Sequence, residues 1–494
     1  MKQLDLLPSR PRCEFTLHRF FRGEKISRSS VFSLRQTGFL LLVAFFSFTY
    51  LVLYIAMNAG TGALFSQASN FDWTEETITA TGPADGDGMD MAFDSNGVPG
   101  ICYYNATSTS LYFAYYLNGG WINELVDDPN MTITGRNCSI IYDTTQARFA
   151  ISYYDLSNTN LEYAFRGSAG GGTGCDNSSF SGWSCETVDS SGSVGLYSDL
   201  ARNPSNGQIG IGYYDATNGA SKFALRDLQS GTLPACSDAD WSCETVENEG
   251  AGTDFGQYIS ITFQSNGTPH MAYTDASGEA SGKLVYTIRV GAGGGSGCTD
   301  TDWTCEDVDD SSAIVGRHTK IALNSSNIPH IVYYSATNLQ LRYAYRLATI
   351  PGAPGGGNCR DADWNCQNVN AAGEGGRYID MYLVSSSGGA TTLHISSNRA
   401  SGGVTYTSGE YGNWTSETVN TVGGQGTALA NTSGGVVVSY VGSLNTLVYG
   451  TRTENASGDR SSASSSSGKA IQELALSDLF VGVDDTAQKI AAPS

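Results

Sequence analysis

The chain has 494 residues, enough for two or three ordinary domains or for one large repeat array; 60 Gly, 27 Tyr and only 15% charged residues mark it as β-rich and turn-rich, which excludes a helical or a disordered protein. Eight Lys/Arg against three acids fall within residues 1–36, which leaves 19 basic and 45 acidic residues for the remainder. A body with a balance of −26 repels nucleic acid and anionic headgroups, so no nucleic-acid partner is expected.

After this basic leader, "GFLLLVAFFSFTYLVLYIAM" (38–57) is long enough to cross a hydrocarbon core as a helix, and no charged side chain occurs from Gln36 to Phe71. The basic flank lies on the N-terminal side, so the positive-inside rule keeps 1–36 in the cytoplasm as a tail, makes 37–58 a transmembrane signal anchor, and sends the rest outward to the cell surface or a secretory lumen. A signal peptide cleaved after Ser66–Ala68 is the rival reading; the long leader, the length of the apolar run and the distance of that site from its end weigh against it.

Beyond the anchor, each of the seven Trp opens the same kind of segment, from "WTEETIT" at Trp73 through Trp121, Trp183, Trp241, Trp303 and Trp364 to "WTSETVN" at Trp414, with a period of 48 to 62 residues. Three short strand patterns lie between successive Trp. In 258–290, Ile259, Ile261 and Phe263 alternate in the first, Met271 and Tyr273 sit in the second, and Leu284 to Val290 form the third. Four antiparallel strands repeated radially predict an all-β fold, a seven-bladed β-propeller over 69–452. The last three-strand set (426–452) has no Trp strand after it, and the first Trp strand, "FDWTEETIT", has no set before it; the N-terminal strand is therefore expected to close the last blade. Repeats of the form G-R/Q-Y … SNG-P-H … Y-Y-D … W-x-x-E-T-V resemble those of seven-bladed propellers found in bacterial and archaeal secreted surface proteins. That resemblance implies a fold and an exposed location. Propeller lectins and sialidases have related architecture, but the sialidase Asp box and the Trp-Asp and kelch signatures are absent.

Ten of the eleven Cys follow the apolar run; the other is Cys13. Spacing pairs Cys175 with Cys185, Cys236 with Cys243, Cys298 with Cys305 and Cys359 with Cys366, each second Cys two residues after a Trp, as staples of Gly-rich loops formed outside the cytoplasm. Zinc fits these spacings badly, with no His nearby. Cys102 and Cys138 remain and can pair with each other. Nine Asn-x-Ser/Thr sequons, among them Asn137 and Asn266, permit a glycoprotein without requiring one.

Residues present in every unit of a repeat are usually architectural, which is the reading for the Trp and for Tyr pairs such as Tyr153-Tyr154. Asp155, Asp215 and Asp275 read as Asx-turn caps rather than ligands. The pairs Asp238/Asp240, Asp300/Asp302 and Asp361/Asp363 offer oxygen to a hard cation but lack further partners, so turn capping is the expected role and no metal is assigned. His270 and His330 occupy equivalent positions and read as structural. Departures between units concentrate where each first strand opens: Asp87, Arg136, Leu196, Gln257, Arg317, Arg377 and Gln425, followed by Tyr197, Tyr258, His318 and Tyr378. Around one channel mouth, Arg136, Gln257, Tyr258, Arg317, His318, Arg377, Tyr378 and Gln425 would suit carboxylates or polar sugars; alternatively each Arg pairs with an Asp of a neighbouring blade and locks the ring.

No nucleophile-elbow, phosphate-loop or zinc-protease motif occurs, so no catalytic residue and no cofactor is assigned. Residues 453–470 read as a Ser-rich linker and 471–494 as a tail with a short amphipathic helix. The expected function is a membrane-anchored binding or adhesion module for a glycan or protein ligand. A propeller glycoside hydrolase or lyase, or a structural subunit of a surface assembly, is the alternative.

Overall fold

The computed structural model describes residues 71–454, apart from 80–81, 84–87, 129–132, 168–171, 176–181, 227–235, 251, 279–280, 312–313, 348–355 and 387–389. The segments expected as cytoplasmic tail (1–36), anchor (37–58), linker (455–470 of it) and C-terminal tail (471–494), with Cys13 and Asp87, lie outside the described residues. Among the described residues no helix is long and apolar enough to cross a membrane; the structure there is all-β, with a single 3-10 turn at Ser443–Asn445.

The strands form five four-stranded antiparallel sheets and one eight-stranded sheet. The larger sheet is two four-strand runs, 317–368 and 375–420, joined by a parallel bridge between Gln340 and Gly375. We number the four-strand sets in chain order: set 1 spans 89–127, set 2 134–189, set 3 194–247, set 4 255–309, set 5 317–368, set 6 375–420 and set 7 425–454. The first strand of each set touches that of the next, and Gln425–Thr432 touches Met89–Phe93, so the first strands close a circuit. Phe71–Thr79 pairs antiparallel with Leu447–Glu454 and completes set 7, as the orphan Trp strand predicts.

Each recurrent motif has a mechanical role. The Gly before each first-strand aromatic is in the left-handed region, and at Gly195 a Cβ would sit 2.7 Å from the Leu161 backbone, so only glycine allows the sets to approach this closely. The Glu of W-x-x-E-T reaches the following set. Glu124, Glu186, Glu244 and Glu306 each accept the indole N–H of the next Trp (Trp183, Trp241, Trp303, Trp364) at 2.8–3.1 Å. Each also pairs with an Arg that ends the next set's third strand, namely Arg166, Arg226, Arg289 and Arg346, at 2.5–2.8 Å. Arg452 pairs with Glu417 in the same way. At the junction of sets 5 and 6 both partners change together: Gln367 stands in place of Glu and Gly409 in place of Arg, and the Trp414 indole N–H and the Gln367 side-chain N–H₂ are left without a partner among the described residues, while Gln367 Oε1 accepts the Gly412 N–H.

The spacing-derived disulfides all form, each across a third-to-fourth strand connection: Cys175–Cys185, Cys236–Cys243, Cys298–Cys305 and Cys359–Cys366. Cys102–Cys138 is the fifth, and it ties set 1 to set 2. Five disulfides in one chain fit an oxidising compartment outside the cytoplasm. The turn-capping expectations also hold. Asp155, Asp215 and Asp275 each accept the N–H two residues on, and so do Asp238, Asp300 and Asp361.

Candidate functional site

Where the first strands begin, they are bulged, and the residue after the opening position lies in the left-handed region: Asn137, Tyr197, Tyr258, His318 and Tyr378, with φ of 51–55°. Bulky side chains rarely adopt this conformation, which costs about 1 kcal/mol or more at each site. Here it turns four rings into one arc. Tyr197 and Tyr258 are 4.5 Å apart between centroids, Tyr258 and His318 4.5 Å, and His318 and Tyr378 4.9 Å. The equivalent positions in sets 7 and 1 are Gly426 and Gly88, so the mouth has an aromatic side and an open side. Between them is a cavity of about 130 Å³, lined by Asn137 and by all four rings.

The floor lies three residues beyond each opening position: Asp90, Ser139, Asp199, Ser260, Lys320, Asp380 and Ala428. These residues differ in type but share a task. Asp90 Oδ2 accepts the N–H of Ile140 at 3.0 Å, Ser139 Oγ that of Leu200 at 3.2 Å, and Asp199 Oδ2 that of Ile261 at 2.9 Å. Ser260 Oγ accepts the N–H of Ile321 at 3.3 Å and Asp380 Oδ2 that of Leu429 at 2.6 Å. Every acceptor thus serves the N–H on the neighbouring set, satisfying donors on the outer edge of each first strand, where its four-strand set ends. Lys320 and Ala428 have no acceptor to offer. At the two places this leaves unserved, Asp380 Oδ1 and Asp90 Oδ1 instead take the N–H of their own successors, Met381 and Met91, at 2.8 Å.

Lys320 Nζ lies 3.2 Å from Asp199 Oδ1 and 4.0 Å from Asp380 Oδ1. Burial alone would lower its pKa, but Asp199, Asp90 and Asp380 outweigh burial and hold the ammonium above its ordinary range. Burial pushes the Asp380 carboxyl up to about 6 and raises that of Asp90, in both cases against the pull of Lys320. His318 is pushed down to about 3 by burial and by the adjacent charges of Arg377 and Arg317, so the arc is uncharged at neutral pH.

Of the residues expected at the mouth, Tyr258, His318 and Tyr378 line the cavity. Arg136 and Arg377 are exposed beside it, each over a second-strand ring, Tyr104 at 5.4 Å and Tyr334 at 5.5 Å. Arg317 is half-buried next to His318; Gln257 donates to Asp254 at 2.7 Å, and Gln425 is exposed. Among the described residues none of Arg136, Arg317 and Arg377 forms an ion pair, and ring-locking is done instead by the Arg–Glu pairs of the outer strands. His270 and His330 are structural, with Nδ1 at 2.7 and 2.6 Å from the hydroxyls of Tyr286 and Tyr343. Sequence reasoning missed the floor. Its signal was a polar residue three positions after the strand opening in six of seven sets, which simple strand alternation passes over as an ordinary solvent-facing position.

No family model matches the sequence, and no curated protein matches it. Among solved structures the chain is similar to AofleA from Arthrobotrys oligospora, 9% identical over 71% of this chain and 91% of that one, with a TM-score of 0.42. It is similar to the fucose-specific lectin from Aleuria aurantia, 12% identical over 69% of this chain and 97% of that one, with a TM-score of 0.39. An ulvan lyase of a polysaccharide lyase family is 9% identical over 77% of this chain and 96% of its own, with a TM-score of 0.44.

Proposed function

We propose that the protein is a seven-bladed β-propeller (69–452) held outside the cytoplasm by the apolar segment 37–58, and that it works as a binding or adhesion module for a glycan or protein ligand seated at the channel mouth. The observation that carries this reading is the arc Tyr197, Tyr258, His318 and Tyr378, kept in an unfavourable backbone conformation at one side of a cavity whose other side includes Gly88 and Asn137. Stacking of a ligand ring on an aromatic wall gives a use to the strain that four ring-bearing residues hold at this mouth. Arg317 and Arg377 supply cationic donors beside that wall and have no carboxylate partner among the described residues, which favours ligands bearing carboxylate or other acceptor groups. The test replaces Arg136, Arg317 and Arg377 together with Gln and follows thermal unfolding and glycan-array binding. Weakened binding to acidic glycans with unfolding unchanged upholds the reading; lost stability with binding intact overturns it.

A glycoside hydrolase or lyase acting from the same mouth is the second reading, favoured by the elevated Asp380 carboxyl. Against it, both oxygens of Asp90, Asp199 and Asp380 already have partners in the floor. Turnover of a chromogenic glycoside, lost in Asp380→Asn, would establish it. A structural subunit of a surface assembly remains the third reading, and assembly of the purified chain into filaments would support it.

A further inference from the structure

The molecule has a second cavity, remote from the mouth, between the first-to-second strand turns of sets 3 and 4. It measures about 230 Å³ and is lined by Gln208, Leu225, Phe263, Asn266 and Arg289, among others. The third strand of set 3 leaves room for it. At the third-strand position before the residue that faces Trp, sets 1, 2 and 5 carry Tyr115, Phe165 and Tyr345, whereas set 3 carries Leu225, set 4 Ile288, set 6 Ser408 and set 7 Thr451. Opposite Leu225 is Gly210, where a Cβ would lie 2.6 Å from the Phe263 ring, so that ring drops onto bare backbone and leaves room above it.

Three hydrogen-bond donors surround this space without partners among the described residues. Arg289 spends Nε and Nη2 on Glu244 and Asp302, leaving Nη1. Gln208 accepts from Asn206 on its carbonyl oxygen, leaving its amide N–H₂. Asn266 accepts the N–H of Thr268, which likewise leaves its amide N–H₂. The donors come from three different segments, and the carboxylates nearby are already neutralised by Arg289. Elements meeting here do so through turns rather than a free strand edge, so an extended peptide has no ladder to join.

We propose that this groove is a second saccharide site, accepting one pyranose unit whose ring and ether oxygens take the donors of Gln208, Asn266 and Arg289 while its C–H face rests on Leu225 and Phe263. The chemistry selects a neutral or acidic sugar rich in acceptors over an amino sugar with a free ammonium group. The site is independent of the mouth, so its failure leaves the mouth reading untouched.

The experiment screens the full-length chain, made in a host without N-glycosylation, on a glycan array, beside Leu225→Phe, Gln208→Ala and the mouth variant Tyr258→Ala. Leu225→Phe refills the groove with the ring other sets carry, and Gln208→Ala alters an exposed turn, so both should unfold near the parent temperature. The expected result is a group of glycans whose binding falls more than tenfold in both groove variants and is unchanged in Tyr258→Ala. An array on which no glycan depends on residue 208 or 225 overturns the proposal. So does a saccharide found covalently attached to Asn266 in the native protein, because its sequon would then account for the cavity.

Discussion

Lys320 Nζ lies 3.2 Å from Asp199 Oδ1, although 121 residues separate them in the chain. One ammonium thus compensates a floor of three carboxylates, and removing it leaves partly buried charge unpaired. Lys320→Met is expected to lower unfolding stability by about 3 kcal/mol at pH 7.5. Burial has already raised the Asp380 carboxyl to about 6, and losing Lys320 raises it further. A carboxyl whose folded pKa is raised gives stability at low pH that is lost as pH rises through that value, so the deficit of the variant should shrink at pH 5. Urea unfolding at both pH values checks this; a deficit that grows on acidification would count against the floor as described.

At the outer strands, Arg346 and Glu306 pair at 2.8 Å with Arg346 only 1% exposed. Arg346→Met should cost about 3–5 kcal/mol because Glu306 is left charged and buried. Glu306→Gln in the same chain should recover most of that loss, as the molecule itself has done where Gln367 meets Gly409. A double-mutant cycle by chemical denaturation reads the coupling, expected at about 2 kcal/mol or more.

His270 is 2% exposed, and its pKa is pushed down to about 3 by burial and then by Arg346. A base with a depressed folded pKa contributes stability that is full above its unfolded value near 6.5 and is lost as pH falls toward 3. The stability of the parent relative to His270→Phe should therefore decline between pH 6.5 and 4 by up to about 1.4 kcal/mol per pH unit. Denaturation midpoints of the two proteins at pH 7.5, 6 and 5 give the comparison.

The disulfides should not be equivalent. Cys102–Cys138 closes a separation of 36 residues and Cys298–Cys305 one of 7. Loop-closure entropy makes removal of the first, by Ala at both positions, costlier by about 1.5 kcal/mol. Paired thermal melts would show it, and an equal cost would mean that local geometry outweighs chain entropy.

Deleting 69–81 should strip the outer strand from set 7 and expose Leu447–Glu454 as a free edge, with aggregation visible by light scattering. Deleting 457–494 should leave a soluble, cooperatively unfolding body.

The outline of this fold was legible because its signals recur: Trp at each outer strand, Cys two residues on from four of them, Asp at or near the end of three of the second strands, and an orphan first strand. What sequence reading lost is whatever works by difference. Asp90, Ser139, Asp199, Ser260, Lys320 and Asp380 occupy one structural position with three kinds of side chain, so a search for repeated residues passes over them. Arg166 and Glu124 sit 42 residues apart in different sets, and nothing local to either reveals the pair. The left-handed bulge at Tyr197, Tyr258, His318 and Tyr378 was likewise hidden, since an aromatic residue in a strand pattern reads as ordinary strand. Arg317 and Arg377 adjoin His318 and Tyr378 in the chain, Arg136 lies over Tyr104 of set 1, and none of the three is in the cavity lining.

The clasp between the first strand and set 7 also sets a clock. Tyr440 donates to Glu75 across 365 residues of sequence, and no contact of that kind can form until nearly the whole body has been synthesised. Earlier sets have local partners and can assemble as they emerge, but Phe71–Thr79 must wait, its edge unpaired, for the end of the chain. The interval between the two events is when this protein is most open to wrong pairing. A nascent-chain proteolysis series should show residues 71–79 becoming protected last, in a single step, once residue 454 is clear.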